Sequence, residues 1–168
     1  MKKIIILLVL GTMMLYGCDF KEYFFDPKNI VAIPSPSGSG IQWGDNKPIV
    51  TANILSVAIE CFPVKTYEGG GLFGGRAKNK YEIAATARVS CNIIDKNSYE
   101  KSARYPGFES QIIFEALSIS GVVLGQAFGQ YRVVEGADIT TVSVKILDMS
   151  FEEVNKVKRV QARWKYGK

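Results

Sequence analysis

The stretch Phe108 to Tyr131, FESQIIFEALSISGVVLGQAFGQY, decides how the rest of this chain is read. Ile112, Ile113, Ala116, Leu117, Val123, Leu124, Ala127 and Phe128 fill it too densely for an exposed element, and Glu115 is the sole charge between positions 110 and 131. The spacing predicts a helix with a broad buried face. A second membrane span is rejected, because a spanning helix here would strain the sheet expected around it.

On either side the pattern is alternation. Leu55, Val57, Ile59 and Cys61 share one parity, and Tyr81, Ile83, Ala85, Ala87, Val89, Cys91 and Ile93 share one in a second run. Glu82, Thr86, Arg88, Ser90 and Asn92 stand between the latter, the pattern of a strand with one buried and one wet face. Turns are expected at Asp95 to Ser98 and at Tyr105-Pro106-Gly107. Asp138 to Met149 alternates again, and a last strand is expected around Val160, Ala162, Trp164 and Tyr166. Val157 has the opposite parity, which marks a bulge or a helical start near Arg159. The order strand, strand, helix, strand, strand predicts an α+β fold, an antiparallel sheet of about four strands with one helix packed on one face.

The N-terminus carries Lys2 and Lys3, an apolar run from Ile4 to Leu10 extended through Met13, Met14 and Leu15, and then Leu15-Tyr16-Gly17-Cys18. This is signal-peptide order, and the run falls short of the roughly 20 apolar residues of a spanning helix. On Leu15, Gly17 and Cys18 the segment resembles a bacterial lipoprotein signal, while Tyr16 departs from the small residue usual at its place. The resemblance implies removal of residues 1–17 and lipidation of Cys18 by diacylglycerol and an acyl chain, which places the protein in the cell envelope, facing the periplasm. Asp19 in this setting slightly favours the inner membrane. Residues 18–48, with Tyr23, Phe24 and Phe25 and the Pro/Ser/Gly-rich Ile33 to Gly40, are expected to form the lipidated N-terminus and a tether. Residues 49–168 are expected to form a single domain.

About 150 residues then remain, enough for one domain with a real core. The net charge of +5 falls by two with Lys2 and Lys3, which gives no reason to expect nucleic acid as a partner. The chain has no histidine, so the commonest general base and the commonest transition-metal ligand are missing. No cofactor and no metal are expected. Beside Cys18, Cys61 and Cys91 remain as a pair in an oxidising compartment, where a disulfide is expected. Setting Cys61 opposite Cys91 puts both on the apolar face of one long hairpin and its midpoint at Arg76.

Several motifs are candidate sites. Gly69-Gly70-Gly71-Leu72-Phe73-Gly74 satisfies G-x-G-x-x-G as a string, but the chain continues from Lys80 as a strand, where a dinucleotide fingerprint must open a helix. It reads as a hairpin tip, and Leu72 and Phe73 followed by Arg76 make it a candidate contact element for a membrane or partner. Gly121, Gly125 and Gly129 form a stripe for close packing of the expected helix or for self-association. Arg163, Trp164, Lys165 and Tyr166 interleave cations with aromatics, as in a surface for anionic partners or a lysine-protected edge strand. Ser98-Tyr99-Glu100-Lys101 fits S-x-x-K without the companion motifs of penicillin-recognising enzymes. No catalytic set is legible. The expectation is a non-catalytic binding or assembly module on a lipid anchor, such as an accessory subunit of a secretion, conjugation or surface-assembly machine. Its expected partners are the membrane, reached through the lipid on Cys18, and an envelope protein. The alternatives are a self-associating homo-oligomer built on the glycine stripe, and an envelope hydrolase or inhibitor.

Overall fold

The computed structural model describes residues 29–36, 38, 40–44, 46–68, 76–102 and 108–166, with the backbone alone given for 64–68 and 76–79. The signal peptide, Cys18, Leu72 and Phe73 lie outside the described residues. Within them eight strands build two sheets, and helices are confined to two short segments. The strands are β1 (Val31–Pro34), β2 (Gly40–Trp43), β3 (Val50–Glu68), β4 (Arg76–Ile93), β5 (Glu109–Ser118), β6 (Val123–Arg132), β7 (Ile139–Met149) and β8 (Val157–Trp164). Helix α1 spans Lys96–Ser102 and α2 spans Phe151–Lys156. One sheet, here sheet A, has the order β1-β8-β5-β6, and the other, sheet B, has β2-β3-β4-β7. All pairings are antiparallel except β1 with β8. β1 and β8 lie against β3, and β6 lies against β7, so the two sheets stack as a sandwich.

The fold is therefore β-rich and not the expected α+β arrangement of one sheet and one helix. The correction falls on residues 108–131, which form the β5–β6 hairpin. In β5 the even positions Ile112, Phe114 and Ala116 are buried, and so are the odd positions Ile113, Glu115 and Leu117. A strand covered on both faces loses its alternation and reads like a buried helix. The turn is built by Ser118, whose hydroxyl accepts a hydrogen bond from the Val122 N–H (3.1 Å), while the Gly121 N–H donates to the Ser118 carbonyl (3.0 Å). Gly121 sits there at φ +81°, a conformation that suits glycine.

The glycine stripe owes its period to the same strand. Residues four apart share a face in a strand as they nearly do in a helix. A Cβ at Gly125 would lie 2.7 Å from Ile146 Cγ2, and one at Gly129 would overlap Val142 Cγ1. Two glycines of β6 thus let it approach β7 of the other sheet. The space at both is filled by the chain's own core, which leaves no open stripe for a second copy.

The alternating runs are strands as expected, with two refinements. A bulge between Ile54 and Ser56 shifts the parity of β3, so Val50, Ala52 and Ile54 point inward before it, Val57 after it, and Leu55 is exposed. In β8 the register shifts between Arg159 and Val157, and α2 ends at Lys156, so the change of parity there has both a bulge and a helix end behind it. Ser150 caps α2: its hydroxyl accepts from the Glu153 N–H (3.2 Å) and the Glu153 carboxylate accepts from the Ser150 N–H (2.8 Å). Asp95 does the same for α1, accepting from the Ser98 N–H (3.0 Å) and the Ser98 hydroxyl (2.7 Å). The expected turn at Asp95 is therefore a helix start, and Ser98 is engaged by Asp95.

The expected disulfide does not form. Cys91 stands opposite Ala52 and Cys61 opposite Ile83, so eight residues of strand, about 26 Å, separate the two positions along β4. A disulfide needs Cα atoms roughly 6 Å apart. Both cysteines are free and half-buried, and burial pushes the Cys61 thiol up to about 11. The hairpin midpoint moves with the register: the last pair is Glu68 with Arg76, so Arg76 ends a strand where the cysteine pairing had made it the midpoint.

Part of the segment read as tether also belongs to the sandwich. β1 runs parallel to β8, and beyond it the Ser35 N–H donates to the Ala162 carbonyl (2.8 Å). β2 pairs with β3, closed by the Ile49 N–H donating to the Trp43 carbonyl (2.8 Å). Proline is compatible with β1 because β1 is an edge strand.

Candidate interaction surface

The outer faces of the two sheets are both mixed and differ in what is fixed at their centre. On sheet B polar pairs, such as the Thr86 and Ser143 hydroxyls at 2.8 Å and Lys145 with Glu82 at 2.8 Å, lie among the half-exposed Phe62, Ile139 and Leu147. On sheet A the register sets a grid of three rows across β8, β5 and β6: Arg163, Ile113, Phe128; then Gln161, Glu115, Gln126; then Arg159, Leu117, Val123. The central column is buried, with Ile113 at 7%, Glu115 at 7% and Leu117 at 3% exposure, although no third layer of described secondary structure covers it. Arg159, Gln161 and Arg163 beside it are themselves only partly exposed, and arginine and glutamine stems can cover apolar surface while their polar ends stay wet.

A carboxylate in such a place needs partners. Glu115 Oε1 accepts from Arg163 Nη2 (2.9 Å), and Oε2 accepts from Arg163 Nε (3.3 Å) and Gln161 Nε2 (2.9 Å). Burial alone would raise the Glu115 pKa, but the hydrogen bonds from Arg163 and Gln161 and the charge of Arg163 outweigh it and hold the carboxyl below its ordinary value. The Arg163 guanidinium is raised, chiefly by its hydrogen bond to Glu115. This bidentate fork fixes two strands in register and leaves a planar charged group at the surface. Phe128 and Val123, at 50% and 48% exposure, flank the central column as apolar positions.

A pH prediction follows from Glu115. A carboxyl with a lowered folded-state pKa stabilises the fold above its unfolded value, and that contribution is lost as the pH falls through the folded value. Glu115→Gln should cost about 1.5 kcal/mol at neutral pH. Urea denaturation at a series of pH values should show the gap to the natural chain closing below about pH 4. A gap independent of pH would mean that packing, not charge, carries the effect.

The structure divides the expected basic-aromatic surface. Trp164 points into the core at 1% exposure, while Arg163 faces outward onto Glu115. Lys165 donates from Nζ to Gln111 Oε1 (2.8 Å) and lies 5.2 Å from the ring centroid of the exposed Tyr166. Sequence reasoning noted Glu115 only as an isolated charge and missed its pairing with Gln161. The available signal was a carboxylate amid an apolar run, which demands a partner of opposite charge. Arg76 is placed only as backbone at the start of β4, and Gly121, Gly125 and Gly129 serve the turn and the sheet contact. Among the described residues no three cysteine or carboxylate side chains gather as a metal site, and no helix is long and apolar enough to cross a membrane.

Fold and surface together define a β-sandwich module with mixed outer faces, of which that of sheet A carries a buried carboxylate–guanidinium pair at its centre. No family model matches the chain, and neither a curated protein nor a solved structure does.

Proposed function

We propose that the protein is a lipid-anchored module of the bacterial envelope that binds a partner protein through the outer face of sheet A, without catalysing a reaction. The observation that carries this reading is the grid itself. Its centre is a fixed Glu115–Arg163–Gln161 cluster beside a half-exposed Phe128, a combination of aromatic and arginine typical of interface centres. The signal-like N-terminus supplies the anchor, with Cys18 as the lipidated residue.

In-cell crosslinking followed by affinity capture from solubilised membranes tests both parts. The natural chain should yield a discrete heterologous product, and Cys18→Ser should lose it by losing the membrane. Phe128→Asp should lose it while remaining in the membrane fraction, at a stability cost of about 1–2 kcal/mol because half of the ring is buried beside Ile113. An unchanged product from Phe128→Asp removes this face as the binding surface. Products containing only this chain would replace the adaptor with a self-associating component.

A further inference from the structure

We propose that one pole of the sandwich, formed by the β5–β6 turn and the α2–β8 junction, rests on the surface of an anionic phospholipid bilayer. The proposal rests on the lipid-anchored reading for where that bilayer is, and goes beyond it by orienting the domain.

Three observations meet at this pole. The first is an apolar tip in a firmly built turn. Ile119 is 90% exposed and Val122 is 58% exposed, yet the turn that presents them is closed by the hydrogen bonds of Ser118 and by contact of its hydroxyl with that of Ser120 at 2.9 Å. Hairpin tips are ordinarily Gly, Asn, Asp or Ser. A rigid turn that holds isoleucine in water suggests an apolar occupant.

The second is where the chain enters. Val31, Arg159, Leu117 and Val123 lie in one row across sheet A, so β1 begins at the same pole as the β5–β6 turn. Val31 is 57% exposed on the outward side of that row. Only residues 19–28 separate Cys18 from the first described residue, Asn29. Ten residues reach at most about 35 Å when extended. A lipid on Cys18 therefore tethers the domain to the bilayer from the end at which β1 begins.

The third is charge. Lys156 and Lys158 are exposed at the α2–β8 junction. Arg159 makes no ion pair among the described residues, and its Nε is enclosed without a hydrogen-bond partner. Asp148, Glu152 and Glu153 are the nearby acids; Asp148 is paired with Lys80 (3.0 Å), and Glu153 is turned back onto Ser150 by the capping box. Cations around an apolar tip match a surface of phosphate headgroups above acyl chains.

The test uses the full chain, produced in a bacterium that processes lipoproteins and reconstituted into phosphatidylcholine vesicles with or without phosphatidylglycerol. A p-benzoylphenylalanine replaces Ile119 in one sample and Ile94 in another, the latter exposed at the opposite pole beyond the end of β4. Irradiation should give lipid adducts at position 119 about tenfold over position 94, and Lys156→Glu with Lys158→Glu should remove the increase brought by phosphatidylglycerol. Equal labelling of the two positions, or labelling of neither, overturns the proposal. The mass of the Cys18 peptide reads the anchor separately. An unmodified Cys18 removes the lipid-anchored reading, whereas a lipidated chain without adducts at position 119 removes the contact of this pole alone.

Discussion

Gly129→Ala should destabilise the protein by about 3 kcal/mol, the upper part of the range for overpacking a closed core. The added methyl overlaps Val142 Cγ1 and lies 3.1 Å from Val144 Cγ1 and 3.3 Å from Phe114 Cε2, so it meets both sheets at once. Valine is stiff at χ1 and cannot turn aside. Gly125→Ala should cost less, about 1.5 kcal/mol, because one of its neighbours is the flexible Met149. Gly121→Ala meets no atom, so only its positive φ opposes it, at about 1 kcal/mol. The sign is as informative as the order. On a solvent-facing helix each change would be stabilising by about 1 kcal/mol. Urea denaturation of the three variants reads the series, and Gly129→Ala with Val142→Ala should cost less than the sum of the two single changes because the clash is then relieved.

What the sequence reveals about this fold depends on how many faces each strand buries. β4 and β7 bury one face and wet the other, so Tyr81 to Ile93 and Val142 to Ile146 are legible as strands from parity alone. β5 buries both, and its run from Ile112 to Leu117 carries no period to read. The Ser118-Ile119-Ser120-Gly121 turn was the signal that could have split the segment in two, and the apolar tip residue disguised it. The cysteine pairing failed for a related reason. Parity is shared by every second residue, so Cys61 and Cys91 can face the same side without being neighbours, and only the register separates the two cases. The outer grid was not legible at all. Glu115, Gln161 and Arg163 are brought together by the pairing of β5 with β8, a contact between segments 46 to 48 residues apart. The short β1 was hidden by Pro34, which suits an edge strand as well as a tether.

Trp164→Ala should be the most damaging single change, with a loss of about 4 kcal/mol. Its neighbour Tyr166, equally aromatic in the sequence, should tolerate alanine within about 0.5 kcal/mol because the ring is 71% exposed. Trp164 is 1% exposed and packs edge-on against Tyr131 (centroids 5.2 Å, 79°) and Trp43 (6.4 Å, 81°). Trp43 in turn stacks on Tyr131 at 6.3 Å and 21°. The cluster draws one residue each from β2, β6 and β8, so it ties sheet B to sheet A at the pole opposite the β5–β6 turn. Removing the indole leaves a cavity that three separate strands would have to move to fill, which places the cost near the top of the usual range. Near-ultraviolet circular dichroism should lose the coupled aromatic signal in Trp164→Ala and keep it in Tyr166→Ala, and denaturation midpoints should separate the two variants in the same order. A small effect at Trp164 would put the indole back on the surface with Lys165 and Tyr166. That result would restore the basic-aromatic strip as one continuous face and displace the Glu115–Arg163 grid as the leading candidate for partner binding.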